Sequence, residues 1–306
     1  MTPNVSYRGR FAPSPTGPLH FGSLVSALAS YLEAKHHQGQ WLVRIEDLDP
    51  LRQPVDATPR ILHSLSAHGL ISDEPVRYQS QRHSAYRAAA ETLLKTGYAY
   101  FCRCSRKQLL ANQGQHPNHC RKHSLNHYLN PSAPNKQPWP PGDFALRFAL
   151  RSQRCRWTDQ LLGEQQQNLK AETDDPVILR KEGFYAYQLA VVVDDIDQAI
   201  SHVVRGSDLR TMTAAQHQMF QALGAAVPQF LHIPVIRNQQ GQKLSKQNHA
   251  PALDDANASA NLMAALNALG QQPPMQLAQQ PPVIVLAWAH AHWQRSAIPV
   301  PTAQHW

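Results

Sequence analysis

The first 46 residues carry a strand, a loop, a helix and a second strand in close succession. Residues 7–12 predict the first strand, and a loop rich in Pro and Gly follows at residues 13–18. Apolar residues then recur at helical spacing over residues 20–36, and residues 41–45 predict the second strand. This succession is a βαβ unit, which requires parallel strands. We therefore expect an α/β fold that binds its ligand at the carboxyl end of the first strand.

The rest of the chain shows weaker patterns of helical and strand periodicity. Helices are expected in residues 56–69, 80–97 and 208–223, and strands in residues 145–150, 177–180, 187–193 and 230–236. The segment at 187–193 is a continuous apolar run, which we interpret as a fully buried strand.

Composition excludes several classes of protein. Among 306 residues, 42% are apolar, which argues against wholesale disorder, and four Cys are too few for a disulfide scaffold. We find neither a run of about 18 apolar residues nor a secretory h-region, so we expect a soluble, cytoplasmic protein with no membrane partner. The net charge of +8 indicates either a polyanionic partner or simply a basic surface.

The loop between the first strand and the first helix has the parts of a phosphate site. It matches neither GxxxxGK[ST] nor GxGxxG. The helix behind it offers free N–H groups and the positive end of its dipole. Gly22 permits a close approach of a ligand to the backbone, and His20 can donate a hydrogen bond to a phosphate oxygen.

This loop also carries a family resemblance. The segment RFAPSPTGPLHFGSL resembles the HIGH signature of class I aminoacyl-tRNA synthetases in its glutamyl form, although Ser23 replaces the second His. Far downstream, the sequence KLSKQ at 243–247 resembles the KMSKS signature. The resemblance implies a Rossmann-like HIGH/KMSKS domain in which His20 supports the α-phosphate of ATP and Lys246 the departing pyrophosphate. Mg²⁺ is expected to accompany ATP. The implied ATP-binding residues are His20, Gly22, Lys243, Ser245 and Lys246.

The same resemblance implies a glutamate pocket. A substrate carboxylate favours an Arg, whereas an ammonium favours an acid. Arg10 lies on the first strand and Glu46 at the end of the second, at neighbouring sheet edges, so we expect them to face one pocket. The family likeness assigns the glutamate site to Arg10, Ala12, Ser14, Glu46, Tyr187 and Arg205. The alternatives are a pairing of Arg10 with Glu46 and a core position for Tyr187; Arg44 and Asp47 are expected to be structural.

A cysteine cluster predicts a metal site. Cys102, Cys104 and Cys120, with a His nearby, suit one structural, tetrahedral Zn²⁺ per chain; reduced structural thiols are the alternative. The family likeness favours His116 as the fourth ligand, with His119 and His123 as rivals. Cys155 lies outside the cluster and is expected to be a buried thiol. The zinc would hold a basic insertion against RNA.

The C-terminal part leaves room for a short helical subdomain. Helices are expected at 258–269 and 283–293, on either side of a Pro/Gln-rich stretch at 270–282. We divide the chain into a catalytic domain (1–100 and 175–250), a zinc-bearing, acceptor-binding-like insertion (101–174) and a short helical C-terminal tail (251–306). A second Pro-rich stretch, at 130–142, ends the Cys-bearing part of the insertion.

A chain without a large anticodon-binding region is similar to the glutamyl-queuosine tRNA(Asp) synthetase family, as is the continuation KQNHA at 246–250. That likeness implies activation of L-glutamate with ATP, independent of tRNA. Glutamate is then transferred to the cyclopentenediol of queuosine at the wobble position of tRNA(Asp). The alternatives are a truncated glutamyl-tRNA synthetase that charges tRNA(Glu) and a non-catalytic zinc RNA-binding module. A monomer is the default expectation.

Overall fold

A computed structural model describes residues 6–112, 120–121, 144–151, 153–170, 175–237 and 251–300. In these parts of the chain the strands are β1 Arg8–Phe11, β2 Gln40–Ile45, β3 Arg77–Tyr78, β4 Ala99–Cys102, β5 Ala145–Phe148, β6 Gln153–Asp159, β7 Gly163–Leu169, β8 Val177–Leu179, β9 His202–Gly206 and β10 Gln229–Ile233. The helices there are α1 Phe21–His36, α2 Ala57–Ala67, α3 His83–Lys95, α4 Arg106–Ala111, α5 Tyr187–Asp197, α6 Thr213–Ala222, α7 Ala258–Ala268 and α8 Pro282–His292. None of these helices combines the length and apolarity needed to cross a bilayer.

Two adjoining sheets contain parallel strands, and the second of them is mixed. One has the order β1-β2-β3, and the other the order β7-β6-β10-β9, in which β6, β10 and β9 run parallel and β6 and β7 form a hairpin. The two sheets adjoin along β1 and β9, where the Ser201 N–H donates to the Arg8 carbonyl over 3.0 Å. The expected α/β fold with a parallel sheet is confirmed. The carboxyl ends of β1, β2, β9 and β10 therefore open toward the same region.

Helix α1 connects β1 to β2 and is covered from both sides. Leu24, Leu28 and Leu32 lie one turn apart and are completely buried. The two C-terminal helices, α7 and α8, are present as expected and share this core with α1. Trp293 donates its indole N–H to the buried Glu33 carboxylate on α1 over 2.7 Å. The C-terminal segment is thus part of the packing that holds the first βαβ unit.

The prediction of a strand at residues 187–193 is wrong, because this segment begins α5. A short apolar run does not distinguish a buried strand from a buried helix by its periodicity. Residues 189–193 are buried on every side of the helix because α3 and α6 pack against it. The helix also continues beyond the apolar run, through two buried acids, Asp194 and Asp195.

A third, antiparallel sheet of order β4-β5-β8 lies beside the parallel ones. It joins a second core that includes Tyr86, Phe148 and Met219. The end of β4 carries Cys102, so this sheet positions the start of the cysteine cluster. The stretch at 130–142 lies outside the described residues.

Candidate active site

A cavity of about 600 Å³ opens at the carboxyl ends of the central strands. Its volume is in the range of sites for small molecules and cofactors. All the sequence-predicted site residues of the ATP and glutamate sets that the structure describes line this one cavity: Arg10, Ala12, Ser14, His20, Gly22, Glu46, Tyr187 and Arg205. Lys243, Ser245 and Lys246 lie outside the described residues. Their roles, like those of the lining residues, stay predictions.

The loop after β1 presents His20 at the first turn of α1. His20 is the N-cap residue, and its Nδ1 accepts a hydrogen bond from the Ser23 N–H over 3.3 Å. A neutral ring that accepts at Nδ1 carries its hydrogen on Nε2, and Nε2 lies 3.1 Å from the Ser23 hydroxyl. Ser23, the departure from the HIGH pattern, therefore contacts the ring atom that can donate to a phosphate.

The backbone of the same loop is fixed at two points. Gly17 adopts a φ of +153°, a conformation that residues with a Cβ rarely take. The Glu46 N–H donates to the Pro13 carbonyl over 3.0 Å, which ties the loop to the end of β2. The loop and Glu46 consequently keep a fixed relation to each other.

Described residues on both sides of segment 238–250 lie close to the cavity. Val235 and Ile236, which follow β10, line it. On the other side, Ala252 pairs with His20 in an antiparallel bridge, and the Leu253 N–H donates to the Leu19 carbonyl over 2.9 Å. Val235 and Ile236 thus line the cavity themselves, whereas Ala252 and Leu253 pair with residues of the loop that carries His20.

Among the residues predicted to bind glutamate, Arg10 shares one buried carboxylate with Arg44. Arg10 contacts both oxygens of Asp195, with Nε–Oδ1 and Nη2–Oδ2 distances of 3.1 and 3.3 Å. Arg44 Nη1 donates to Oδ1 of Asp195 over 2.8 Å. Burial raises the pKa of Asp195, but the two guanidinium groups outweigh it and hold this pKa below its usual value. Arg10 thus pairs with Asp195, and the expected alternative of an Arg10–Glu46 pair is not what forms.

Asp194, next to Asp195 on α5, carries a separate set of hydrogen bonds. Its oxygens accept from Gln79, Tyr86 and Arg82 over 2.8, 2.7 and 3.0 Å. Sequence reasoning missed both acids. The sequence feature that could have identified them is a pair of adjacent Asp residues at the end of an apolar run, which is unusual in a core. The wrong strand assignment, however, gave no indication of which side of the element these side chains occupy.

Glu46 is a buried carboxylate that faces the cavity. Its Oε1 lies 3.7 Å from Arg44 Nη2, too far for a hydrogen bond, and has no hydrogen-bond partner among the described residues. Burial raises its pKa to about 7, against the opposing effect of Arg44 and Arg10. A donor with a positive charge would satisfy this oxygen and stabilise the ionised form.

Arg205 is buried on the opposite wall, and its partners are neutral. Its Nε donates to His232 Nε2 over 3.1 Å, and its Nη1 donates to Gln216 over 2.8 Å. Its Nη2 donates to Thr213 and to the Leu209 carbonyl over 2.9 and 3.3 Å. Within the described residues it forms no ion pair with a carboxylate. Burial lowers its pKa, so an anion beside it would be strongly stabilising.

Tyr187 interacts with charged groups from both walls of the cavity, Arg205 and Glu46. It is the first residue of α5, and its hydroxyl interacts with Arg205. Burial raises the pKa of Tyr187, so the hydroxyl stays protonated and can donate to a ligand. Tyr187 lines the cavity and also packs against the second core, so its predicted role at the site and the alternative core position both stay open.

The cysteine cluster lies apart from this cavity. The sulfurs of Cys102, Cys104 and Cys120 all lie within 4.8 Å of one another, and this group is able to hold a metal ion. Burial raises the pKa of Cys104 to about 12, with Cys120 and Cys102 adding to the effect. His116, His119 and His123 lie outside the described residues. Cys155 is buried on β6, away from the cluster, as expected.

A second cavity, of about 470 Å³, lies between the cysteine cluster and the first cavity. It shares Tyr187 and Met212 with the first cavity and includes Cys102 and Cys104 in its wall. Three of its lining residues are cationic, Arg147, Arg180 and Lys181, and one is acidic, Glu182. Sequence reasoning did not anticipate this cavity, because its wall combines four distant segments of the chain.

Comparison with known proteins identifies the fold family. Residues 6–269 match the model of class I tRNA synthetases (E and Q), catalytic domain. The chain is 46% identical over 294 residues to a glutamyl-Q tRNA(Asp) synthetase from Pseudomonas aeruginosa strain LESB58, and the match covers 96% of both chains. The chain belongs to the glutamyl-Q tRNA(Asp) synthetase family. A second such synthetase, from Serratia proteamaculans strain 568, is 43% identical over 293 residues, which cover 96% of this chain and 92% of that protein.

Solved structures of a related synthetase type share the fold of this glutamyl-Q tRNA(Asp) synthetase family member. A glutamate tRNA ligase from Elizabethkingia meningosepticum, solved in complex with its amino acid, has a TM-score of 0.74 and 25% sequence identity. A glutamate-tRNA synthetase from Elizabethkingia anophelis also gives a TM-score of 0.74, at 24% identity. The match covers 96% of this chain but only 66% of either synthetase.

Proposed function

We propose that this chain activates L-glutamate with ATP, without tRNA, and transfers it to the cyclopentenediol of queuosine at the wobble position of tRNA(Asp). The proposal follows from membership of the glutamyl-Q tRNA(Asp) synthetase family and from the chemistry of the cavity. We further propose that the protein acts in the cytoplasm as a monomer. In the first step a glutamate carboxylate oxygen bonds to the α-phosphorus of ATP, and the bond from that phosphorus to the departing pyrophosphate breaks.

The charge pattern of the cavity is the observation that carries this function. Glutamate brings an ammonium and a side-chain carboxylate. Among the described residues, the cavity offers Glu46 Oε1 without a hydrogen-bond partner and the Arg205 guanidinium without a carboxylate partner. We assign the ammonium to Glu46 and the side-chain carboxylate to Arg205 and the Tyr187 hydroxyl. Arg10, Ala12 and Ser14 line the same cavity, and we propose that they contact the bound glutamate.

The ATP side of the proposal rests on the loop before α1. We propose that Gly22 lets the nucleotide approach the backbone and that the Nε2–H of His20 donates to the α-phosphate as negative charge develops there. Lys243, Ser245 and Lys246 are proposed to complete the site from the flanking segment, with Lys246 on the pyrophosphate. Mg²⁺ is expected to enter as part of the ATP complex, held mainly by phosphate oxygens and water.

The second cavity supports the transfer step. It adjoins the proposed adenylate site through Tyr187 and Met212, and its cationic wall suits a nucleic-acid backbone. We propose that the queuosine end of the anticodon loop enters here. A diol hydroxyl then bonds to the activated carbonyl carbon, the bond to AMP breaks, and the hydroxyl proton is released.

The cysteine cluster fits a structural zinc ion. Tetrahedral Zn–S bonds of about 2.3 Å place neighbouring sulfurs about 3.8 Å apart. The Cys104 and Cys120 sulfurs are separated by 3.6 Å, close to that value. We propose one Zn²⁺ per chain on Cys102, Cys104 and Cys120, with His116 as fourth ligand. Bound there, it would fix the basic insertion at 101–174 beside the second cavity.

Zinc content tests that assignment. Untagged protein purified without chelator is expected to contain about one zinc ion per chain, and Cys104→Ser to contain much less. Cys155→Ser is the matched control, because Cys155 lies outside the cluster, and it should retain the metal. A wild-type chain without stoichiometric zinc would refute the site.

The proposed function is tested by supplying labelled glutamate, ATP and Mg²⁺ with three RNAs in parallel. These are tRNA(Asp) that contains queuosine, tRNA(Asp) that lacks it, and tRNA(Glu). Label on the first RNA alone is the expected result. Label on tRNA(Glu) would instead favour the truncated glutamyl-tRNA synthetase, and RNA binding without any transfer would favour the non-catalytic module.

A further inference from the structure

Three neighbouring strands each contribute one buried side chain to a hydrogen-bonded row that ends at the candidate active site. Asp159 closes β6, His232 lies on β10 and Arg205 lies on β9. The strand register pairs His232 directly with Arg205. The side chains of Asp159 and His232 are completely buried, and 5% of the Arg205 surface is exposed. Only the Arg205 end of this row lines the cavity.

The hydrogen bonds of the row define the tautomer of His232. Arg205 Nε has only a hydrogen to offer, so His232 Nε2, 3.1 Å away, must be the acceptor. A neutral ring that accepts at Nε2 carries its hydrogen on Nδ1. His232 Nδ1 lies 2.6 Å from Asp159 Oδ2 and donates to it. The direction of every bond in the row is therefore determined, from the guanidinium through the ring to the carboxylate.

Asp159 is itself held firmly. Its Oδ1 accepts from the backbone N–H groups of Leu161 and Leu162 over 3.1 and 3.0 Å. Burial raises the pKa of Asp159, but the bond from His232 and these N–H groups hold it below its usual value. Burial lowers the pKa of His232, and the nearby cations Arg205 and Arg210 act in the same direction, against the effect of Asp159. A neutral ring beside an ionised carboxylate is the consistent arrangement.

The choice of a neutral partner has a consequence for Arg205. A carboxylate in direct contact would orient the guanidinium but would also neutralise it, as Asp195 does for Arg10. An imidazole nitrogen orients the same group without cancelling its charge. We propose that His232 and Asp159 are positioning residues, which aim the charged Arg205 guanidinium into the cavity to receive the side-chain carboxylate of the amino-acid substrate. This inference rests on the proposed function, since it takes that carboxylate to be the anion that Arg205 binds.

Binding of L-glutamate and of ATP, each measured by calorimetry, separates positioning from general damage. His232→Phe keeps the ring shape but removes the acceptor, and we expect it to weaken glutamate binding about tenfold or more, the scale of one hydrogen bond to a charged group. ATP affinity should change by less than about twofold, and His232→Gln, which restores an acceptor near Nε2, should recover much of the loss.

A matched control comes from the neighbouring helix. His217 is also a largely buried ring beside Phe230, but its Nε2 has no hydrogen-bond partner among the described residues. His217→Phe should leave glutamate binding within about twofold of wild type. If His232→Phe does not fold, Asp159→Asn provides a second variant. Its amide can donate to the ring and favour the wrong tautomer, so glutamate binding should weaken there too.

The decisive comparison is a double-mutant cycle with Arg205→Lys, which keeps the charge but lacks Nε. In that background, His232→Phe should weaken glutamate binding by less than about twofold, because the contact it removes is already gone. An equal loss in both backgrounds, a parallel loss of ATP affinity, or unchanged glutamate binding in His232→Phe would each overturn the inference. If wild type binds glutamate but catalyses no glutamate-dependent exchange of pyrophosphate into ATP, the proposed function fails while the binding cycle still decides the positioning role.

Discussion

Arg10 and Arg205 are two buried arginines on the wall of one cavity, and they differ in how their charge is balanced. Arg10 forms a two-point contact with Asp195, which also binds Arg44. Arg205 is held by His232, Gln216, Thr213 and a carbonyl, all of them neutral. A buried ion pair mainly holds the fold in one arrangement, whereas a buried charge without a counter-ion is completed by a ligand. We therefore propose that Arg10 acts chiefly in the framework and that Arg205 acts chiefly on the substrate.

The largest effect is expected from Arg205→Met, which keeps side-chain length but removes the charge. We expect kcat/KM for glutamate to fall by about 10³-fold, the scale of losing one partner of a desolvated charge pair. The KM for ATP should change little, because Arg205 lies on the glutamate side. Pyrophosphate exchange at varied glutamate measures the first constant, and exchange at varied ATP measures the second. An equal fall for Arg10→Met and Arg205→Met would remove the distinction between the two arginines.

Glu46→Gln is expected to have the next largest effect and to change the pH dependence. At pH 8 the variant should lose about 10²-fold in kcat/KM for glutamate, because an amide cannot neutralise the substrate ammonium. The pKa of Glu46 is raised to about 7, so wild type should lose about tenfold between pH 8 and pH 6 as this carboxylate protonates. The variant should show no such fall over this range. A pH profile shared by both proteins would contradict the role of Glu46.

The raised pKa of Glu46 also predicts a pH effect on stability, opposite in sign to its effect on activity. The folded-state pKa of Glu46 lies above its ordinary value of 4.5, so ionisation opposes folding. Wild-type stability should therefore fall relative to Glu46→Gln as the pH rises from about 4.5 to about 7, by on the order of 3 kcal/mol. Denaturant unfolding of both proteins at pH 5 and pH 8 measures this difference. A constant difference between the two pH values would show that Glu46 is not buried as a costly charge.

Arg10→Met tests the comparison of the two arginines through its effect on protein stability. It leaves Asp195 with Arg44 as its remaining guanidinium partner, so we expect a loss of about 2 kcal/mol in the free energy of unfolding. The matching change at Arg205 removes a charge that has no carboxylate partner within the described parts of the chain, and it should cost less. Unfolding curves of the two variants under identical conditions provide the test. A larger loss of stability for Arg205→Met than for Arg10→Met would reverse the assignment.

The smallest effect is expected at Ser23, on the ATP side of the cavity. Ser23→Ala removes the hydroxyl 3.1 Å from His20 Nε2, and we expect kcat for exchange to fall about threefold to tenfold, the value of one neutral hydrogen bond. Ser23→Thr keeps the hydroxyl and should retain more activity. Glutamate binding should be unchanged in both variants. Equal activity of Ser23→Ala and wild type would show that the hydroxyl does not orient His20.

Much of this site was predictable from short stretches of sequence. The βαβ unit placed Arg10 and Glu46 at adjacent strand ends, and the loop before α1 identified His20 and Gly22, because each inference needed only local periodicity and turn chemistry. The family likeness added Tyr187 and Arg205. These residues line one cavity even though the segment around Tyr187 was assigned to a strand rather than to α5.

The charge partners were not predictable, because they are distant in the sequence. Asp195 lies 185 positions from Arg10, and Asp159 lies 73 positions from His232. A single sequence gives the residue types but not which buried acid meets which base. Yet those partners decide how the two arginines differ. The sequence therefore predicted residues that line the cavity, and the packing of α5, β6 and β10 determines the partners of the two arginines.

The most direct test of this division is pyrophosphate exchange into ATP without any tRNA, with glutamate, glutamine and aspartate as separate substrates. A cavity that leaves Arg205 charged for a side-chain carboxylate and Glu46 free for an ammonium predicts exchange with glutamate. Glutamine should give much less, because it lacks the carboxylate, and aspartate less too, because its shorter side chain does not span both groups. No exchange with glutamate, or equal exchange with glutamine, would contradict the assignment of Arg205 as the carboxylate receptor.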